Sequence, residues 1–145
     1  MKTIKGDLIK LAIAGEFDVL LHGANCFNTM GAGLAYQISK IFPEAFRADL
    51  DTIKGDINKL GTYSSAESRG IRVVNCYTQY HFGTNKINVD YDAIDKVMAK
   101  IAIDFKDKRI GIPLIGVGLA GGDWNIISKI IEKHLPNATI VEYLK

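Results

Sequence analysis

The chain is short of cysteine, proline and histidine, and it carries almost no excess of either charge. Two cysteines, Cys26 and Cys76, among 145 residues cannot build a disulfide framework, and neither has a second ligand-type residue at metal-binding spacing. Both read as buried free thiols of a reducing compartment. The three prolines, Pro43, Pro113 and Pro136, fall near expected element edges. Lys and Arg number 18 against 16 acids, a formal net charge of +2, so no basic stripe argues for nucleic acid or a membrane surface. No carboxylate cluster or histidine pair stands at ligand spacing, so neither a metal nor a cofactor is expected. No apolar run approaches the roughly 18 residues of a membrane span, and residues 1–7 lack the apolar stretch of a signal peptide. A cytoplasmic location is the expectation.

Hydrophobic residues make up 48% and charged residues 23%, the balance of an ordinary globular protein. The length fits one domain, residues 1–145, with no repeat, linker or low-complexity run. Residues 17–22 read as a buried strand stopped by Gly23. Residues 31–42 read as a helix with Leu34, Ile38, Ile41 and Phe42 on one face, and Pro43 opens a second helix running through Phe46 and Leu50. Residues 71–80, rich in β-branched and aromatic side chains, predict a strand. Over residues 91–105, Ile94, Val97, Met98 and Ile101 belong to a complete 3.6-residue stripe and predict a helix. A buried strand over 109–115, a helix over 124–135 and a last strand over 138–144 follow. Strands alternating with helices imply an α/β fold with a largely parallel sheet covered on both faces, whose ligands bind outside the carboxyl ends of the strands.

Two strand-to-helix passages are rich in glycine. In the first, running from His22, two asparagines (Asn25 and Asn28) precede Gly31-Ala32-Gly33, which opens a helix. Glycines let backbone N–H groups approach an anion, a helix start adds unpaired donors, and asparagine offers donor and acceptor to ribose hydroxyls. The second passage holds Gly116, Gly118, Gly121 and Gly122 within seven residues, more than a simple turn needs. Asp123 reads first as the N-cap of the helix that follows, and Trp124 as the start of its apolar stripe. In the first passage no third glycine follows Gly31 and Gly33 at dinucleotide-binding spacing, and it is not a Walker sequence. Two such loops at one sheet edge predict a clasp around a phosphate-bearing small ligand.

Taken in order, Gly6-Asp7-Leu8, then Gly23-Ala24-Asn25 with Gly31-Ala32-Gly33-Leu34-Ala35-Tyr36-Gln37, then residues 115–124, resemble the macrodomain family from end to end. The version here is most similar to the branch containing terminal ADP-ribose glycohydrolases, DNA ADP-ribosyl hydrolases and the yeast-type ADP-ribose-1''-phosphate phosphatase. The resemblance implies a three-layer α/β/α sandwich with a mostly parallel mixed sheet, binding ADP-ribose at the strand ends. It assigns adenine to Asp7 and the Leu8 backbone, and the distal ribose to Asn25. It lays the diphosphate between Gly31, Ala32, Gly33 and Leu34 on one side and Gly116, Val117, Gly118, Leu119 and Ala120 on the other.

The lysine-dependent glycohydrolases of that branch use a lysine where Gln79 stands and an acid where Ala120 stands, so both departures count against their mechanism here. His22 matches a histidine of the phosphatase-like enzymes, and an imidazole titrating near neutrality would serve as acid or base there, with Asn25 orienting the ribose. Asn28, His81, Asp123 and Tyr143 are further candidates, Asp123 for positioning water and Tyr143 for stacking on adenine. The leading expectation is hydrolysis of ADP-ribose-1''-phosphate or a related ADP-ribosyl monoester. The alternatives are a non-catalytic reader of ADP-ribose and a hydrolase that removes ADP-ribose from macromolecules.

Overall fold

The central strands carry apolar side chains on both faces, and this decides the layering. In the computed structural model, which describes residues 1–82 and 88–144, β2 (Val19–Asn25) sends Leu20 to one side of a sheet and Val19 and Leu21 to the other. β4 (Ile71–Gln79) divides Val73 from Val74, and β6 (Thr139–Tyr143) divides Val141 from Ile140, in the same way. Strands buried on both faces need helices on both faces. On one, α1 (Leu8–Ile13), α2 (Gly33–Ile41) and α3 (Pro43–Leu50) supply Ile9, Ile38, Phe42 and Ala45. On the other, α4 (Tyr91–Asp104) and α5 (Trp124–His134) supply Ile94, Met98, Ile101, Ile127 and Ile131. Each such isoleucine, methionine or phenylalanine, withdrawn from water, contributes about 1.5–3 kcal/mol.

With β1 (Lys2–Gly6), β3 (Tyr63–Ser68) and β5 (Ile110–Ile112), the sheet has six strands in the order β1-β6-β5-β2-β4-β3. Every neighbouring pair is parallel except β3 with β4. The result is the expected three-layer α/β/α sandwich with a mixed sheet. Five carboxyl ends therefore share one edge, where the chain passes into Asp7, Cys26, Tyr80, Pro113 and Leu144.

Hydrophobic periodicity did not reveal β1, α1 or β3. β1 and β3 are the two edge strands of the sheet and show partly polar, half-exposed faces, as edges do. α1 is only six residues long. The strand expected over 109–115 is shorter, ending at Ile112, because Pro113 has no N–H to continue the ladder. The helix expected from Gly31 begins at Gly33, after an extended Ala32 (φ −146°, ψ 157°). Pro43 opens α3 at its first turn, as read.

Candidate functional site

Between the end of β2, the start of α2 and the loop after β5 lies a cleft of about 620 Å³, within the usual size for a small-molecule site. A bulge in the β2–β4 ladder shifts the register after Ala24, so Asn25 faces Gln79. Such irregularities re-aim side chains at the rims of sites. Gly31, Ala32, Gly33 and Leu34 line one wall, and Gly116, Val117 and Ala120 line the other.

The first wall is built of amides that have no partner among the described residues. α2 has Ala32 at its N-cap and no side-chain cap, and its first helical bond runs from Tyr36 N to Ala32 O. The Gly33, Leu34 and Ala35 N–H groups thus precede the ladder, with the positive end of the helix behind them. By contrast, α1, α4, α5 and the 3-10 turn Ile57–Lys59 each start with an aspartate whose carboxylate accepts from a first-turn amide. Gly33 holds φ +57°, and a β-carbon there or at Gly31 would meet nothing within 4 Å. The two walls differ in this respect. A β-carbon at Gly116 would come within 2.8 Å of Ile127 and 2.9 Å of Val89, and one at Gly122 within 2.5 Å of the Gly116 carbonyl oxygen. Those glycines serve close packing. Gly118, in the short 3-10 turn Gly118–Ala120, is open like the glycines of the first wall. It does not line the cleft, and Leu119 follows it in the same turn.

His22 and Asn25 are brought together at the floor. His22 is buried, with Nε2 2.6 Å from Asn75 Oδ1. Asn75 spends its amide hydrogens on Ala45 O and Ser64 Oγ, so its oxygen accepts and the His22 Nε2 carries the hydrogen. Burial lowers the imidazole pKa to about 4, against the raising effect of the Asn75 bond. The expectation of a ring titrating near neutrality is corrected accordingly. At pH 7 His22 is neutral, and desolvation is the reason. Asn25 donates to Thr29 O (3.1 Å) and Thr29 Oγ1 (2.8 Å) and accepts from Phe27 N (2.8 Å). These bonds make it the brace of the first loop while it lines the cleft.

Asn28 turns the other way. With φ 58° it donates to Thr52 O (2.9 Å) and accepts from Lys59 Nζ (2.6 Å). Lys59 is buried, and its ammonium also donates to Cys26 O (3.1 Å) and lies 4.7 Å from the centre of the Tyr77 ring. Burial lowers its pKa, while Asp49, Cys26 and Asp56 pull the other way. Tyr77 donates to the buried Asp49 (2.7 Å), whose own pKa burial raises. Nothing in the sequence marked Lys59, Asn75 or Thr29. An isolated lysine reads as a solvent residue until the fold encloses it.

The remaining candidates stand apart from the cleft. Asp7 caps α1 by accepting from Lys10 N (3.1 Å), and Leu8 is buried in the core. Tyr143, 63% exposed, lies opposite Gly6 in the ladder, so Asp7 and Tyr143 are neighbours on the same edge, beyond β5. Asp123 caps α5 by accepting from Asn125 N (2.9 Å), as read. The ring of His81 stacks on Phe27, centroids 5.2 Å apart, and does not line the cleft. Phe82, beside it and exposed, does line the cleft, and no motif or pattern had singled it out. Among the described residues no group of three or more His, Cys, Asp or Glu is placed to hold a metal ion.

The pattern of the Macro domain family matches residues 21–131. The chain is 37% identical, over 97% of its length and 94% of the other's, to an uncharacterized 17.5 kDa protein in the tk-vs intergenic region of Enterobacteria phage T4. It is 26% identical to the DNA ADP-ribosyl glycohydrolase of Mycobacterium tuberculosis, covering 95% of this chain but only 40% of that enzyme. Among solved structures, Thermosipho africanus DarTG in complex with ADP-ribose superposes with a TM-score of 0.76 at 18% identity, over 98% of this chain and 41% of that one.

Proposed function

This chain belongs to the macrodomain family, and from that premise we propose that its cleft binds ADP-ribose, with the diphosphate between the first turn of α2 and the 116–120 segment. The observation that carries this reading is the uncapped start of α2, where Gly33, Leu34 and Ala35 line the cleft with amides that precede the helical ladder, whereas α1, α4 and α5 close that end with aspartate. Asp7 and Tyr143 stand on the adenine side of the same edge, and Asn25 on the side of the distal ribose.

In this reading the chain also hydrolyses ADP-ribose-1''-phosphate or a related ADP-ribosyl monoester. No carboxylate lines the cleft among the described residues, so nothing there repels a 1''-phosphate. Water attacks phosphorus, the bond from phosphorus to the 1'' oxygen breaks, and ADP-ribose and inorganic phosphate leave. The water's proton reaches the departing oxygen through the phosphate itself. Backbone amides supply the anion stabilisation. His22 contributes a fixed, neutral floor, and its imidazolium is not part of the step. A second reading, release of ADP-ribose from nucleic acid, is favoured by the kinship with the mycobacterial DNA ADP-ribosyl glycohydrolase. Gln79, an amide, cannot supply a lysine-type route to it.

Titration with ADP-ribose by calorimetry tests the premise, and absence of heat at millimolar ligand would sink it. Incubation with ADP-ribose-1''-phosphate and with an ADP-ribosylated oligonucleotide then separates the reactions. Phosphate from the first supports the monoesterase, and ADP-ribose from the second supports the alternative. Binding without either product leaves a reader of ADP-ribose.

A further inference from the structure

We infer that Lys59 is a positioning residue for ADP-ribose, a buried cation that clamps the first loop from behind and so fixes where its amides stand. The inference rests on the reading of the cleft as an ADP-ribose site. Its observation is the company the ammonium keeps. Lys59 is 7% exposed, no carboxylate among the described residues pairs with it, and both of its hydrogen-bond acceptors, Cys26 O at 3.1 Å and Asn28 Oδ1 at 2.6 Å, belong to the loop that leads into Gly33.

An unpaired buried ammonium is an expensive way to fill space. A methionine of similar length would pack against Tyr77 without desolvating a charge, although it would leave the Asn28 oxygen and the buried Asp49 without the ammonium. What methionine cannot do is hold two oxygen acceptors at fixed separation. The rest of the segment acts on the same loop. Gly55 N donates to Cys26 O (2.7 Å), and Asn28 Nδ2 donates to Thr52 O (2.9 Å). Asn28 itself sits in the left-handed region (φ 58°), where the chain doubles back toward α2. The cation holds that turn through its side-chain oxygen. Among the described residues neither Lys59 nor its partners Cys26, Asn28 and Tyr77 line the cleft, so its effect is transmitted through loop geometry.

Lys59→Met tests this in the full chain. The variant is expected to bind ADP-ribose about tenfold or more weakly, by the loss of charge-assisted bonds that order the loop. Amide hydrogen exchange over residues 25–33 is expected to accelerate more than in the rest of the chain, beyond what any change in melting temperature accounts for. Affinity measured on folded protein and exchange rates equal to wild type would overturn the inference, because a purely structural lysine would move stability alone. Should Lys59→Met not fold, Asn28→Gly removes the acceptor while tolerating the backbone angle. The same weakening and the same faster exchange are expected, and unchanged values of both overturn the clamp. If wild type itself fails to bind ADP-ribose, the reading of the site has failed. Exchange in the variants then still decides whether the ammonium orders the loop.

Discussion

The two glycine-bearing loops look alike in sequence and differ in what their glycines are for. In the loop before α2, Gly31 and Gly33 face open space, and the absent side chains leave backbone exposed to the cleft. In the loop after β5, Gly116 and Gly122 are pressed against Val89, Ile127 and each other, and their bareness lets the loop fold over α4 and α5. The first loop is shaped for approach from outside and the second for approach from within. Both walls meet the same cleft, but substitutions in them should fail in different ways.

The largest expected effect is in the packed loop. Gly122→Ala places a methyl 2.5 Å from the Gly116 carbonyl and 2.8 Å from Ile127 and Val89, and should destabilise the fold by about 3 kcal/mol. A denaturant midpoint within error of wild type would mean the second loop is as open as the first.

Next is the floor beneath the open loop. The His22 pKa is lowered from an ordinary 6.5 to about 4 in the folded chain, so between those values the unfolded state binds the extra proton. Stability from this group is therefore complete above about pH 6.5 and is lost as pH falls toward 4, by about 3 kcal/mol in all. His22→Gln should flatten that limb of the pH–stability curve. Parallel curves for the two proteins would show that the buried imidazole is not the source.

The smallest effect on folding, with a large one on binding, belongs to Gly33→Val. A β-carbon there meets nothing within 4 Å, so the folding penalty comes mainly from left-handed backbone strain of about 1–3 kcal/mol. ADP-ribose affinity should nonetheless fall by about tenfold or more as the amides are screened from phosphate. Unaltered calorimetric affinity would remove the first loop from the binding surface and erase the contrast between the loops.

This contrast also marks how far the sequence could be read. Central strands were legible as short apolar runs bounded by glycine, such as residues 17–22, and long helices by a stripe at helical period, such as that from Ile94 to Ile101. The edge strands were not, since β1 and β3 bury too little on either face to enforce a pattern. At the site, the glycines and Asn25 were visible as types, but their roles depended on distant neighbours. Gly116 owes its packing role to Val89 and Ile127, and His22 owes its neutrality to burial beside Asn75. Asn28 owes its inward turn to Lys59, thirty-one residues along the chain. Sequence periodicity reports an element's own faces, and these partners come from other elements.

The bare first turn of α2 sets stabilisation and reception against each other. Ala32→Asp would give this helix the carboxylate that closes α1, α4 and α5, and by ordinary capping energetics it would make a sturdier protein by about 1 kcal/mol. The same carboxylate would occupy the donors and repel the phosphates meant for them. Lineages or engineers selecting such a fold for heat resistance alone should therefore arrive at hardier molecules that have lost their ligand.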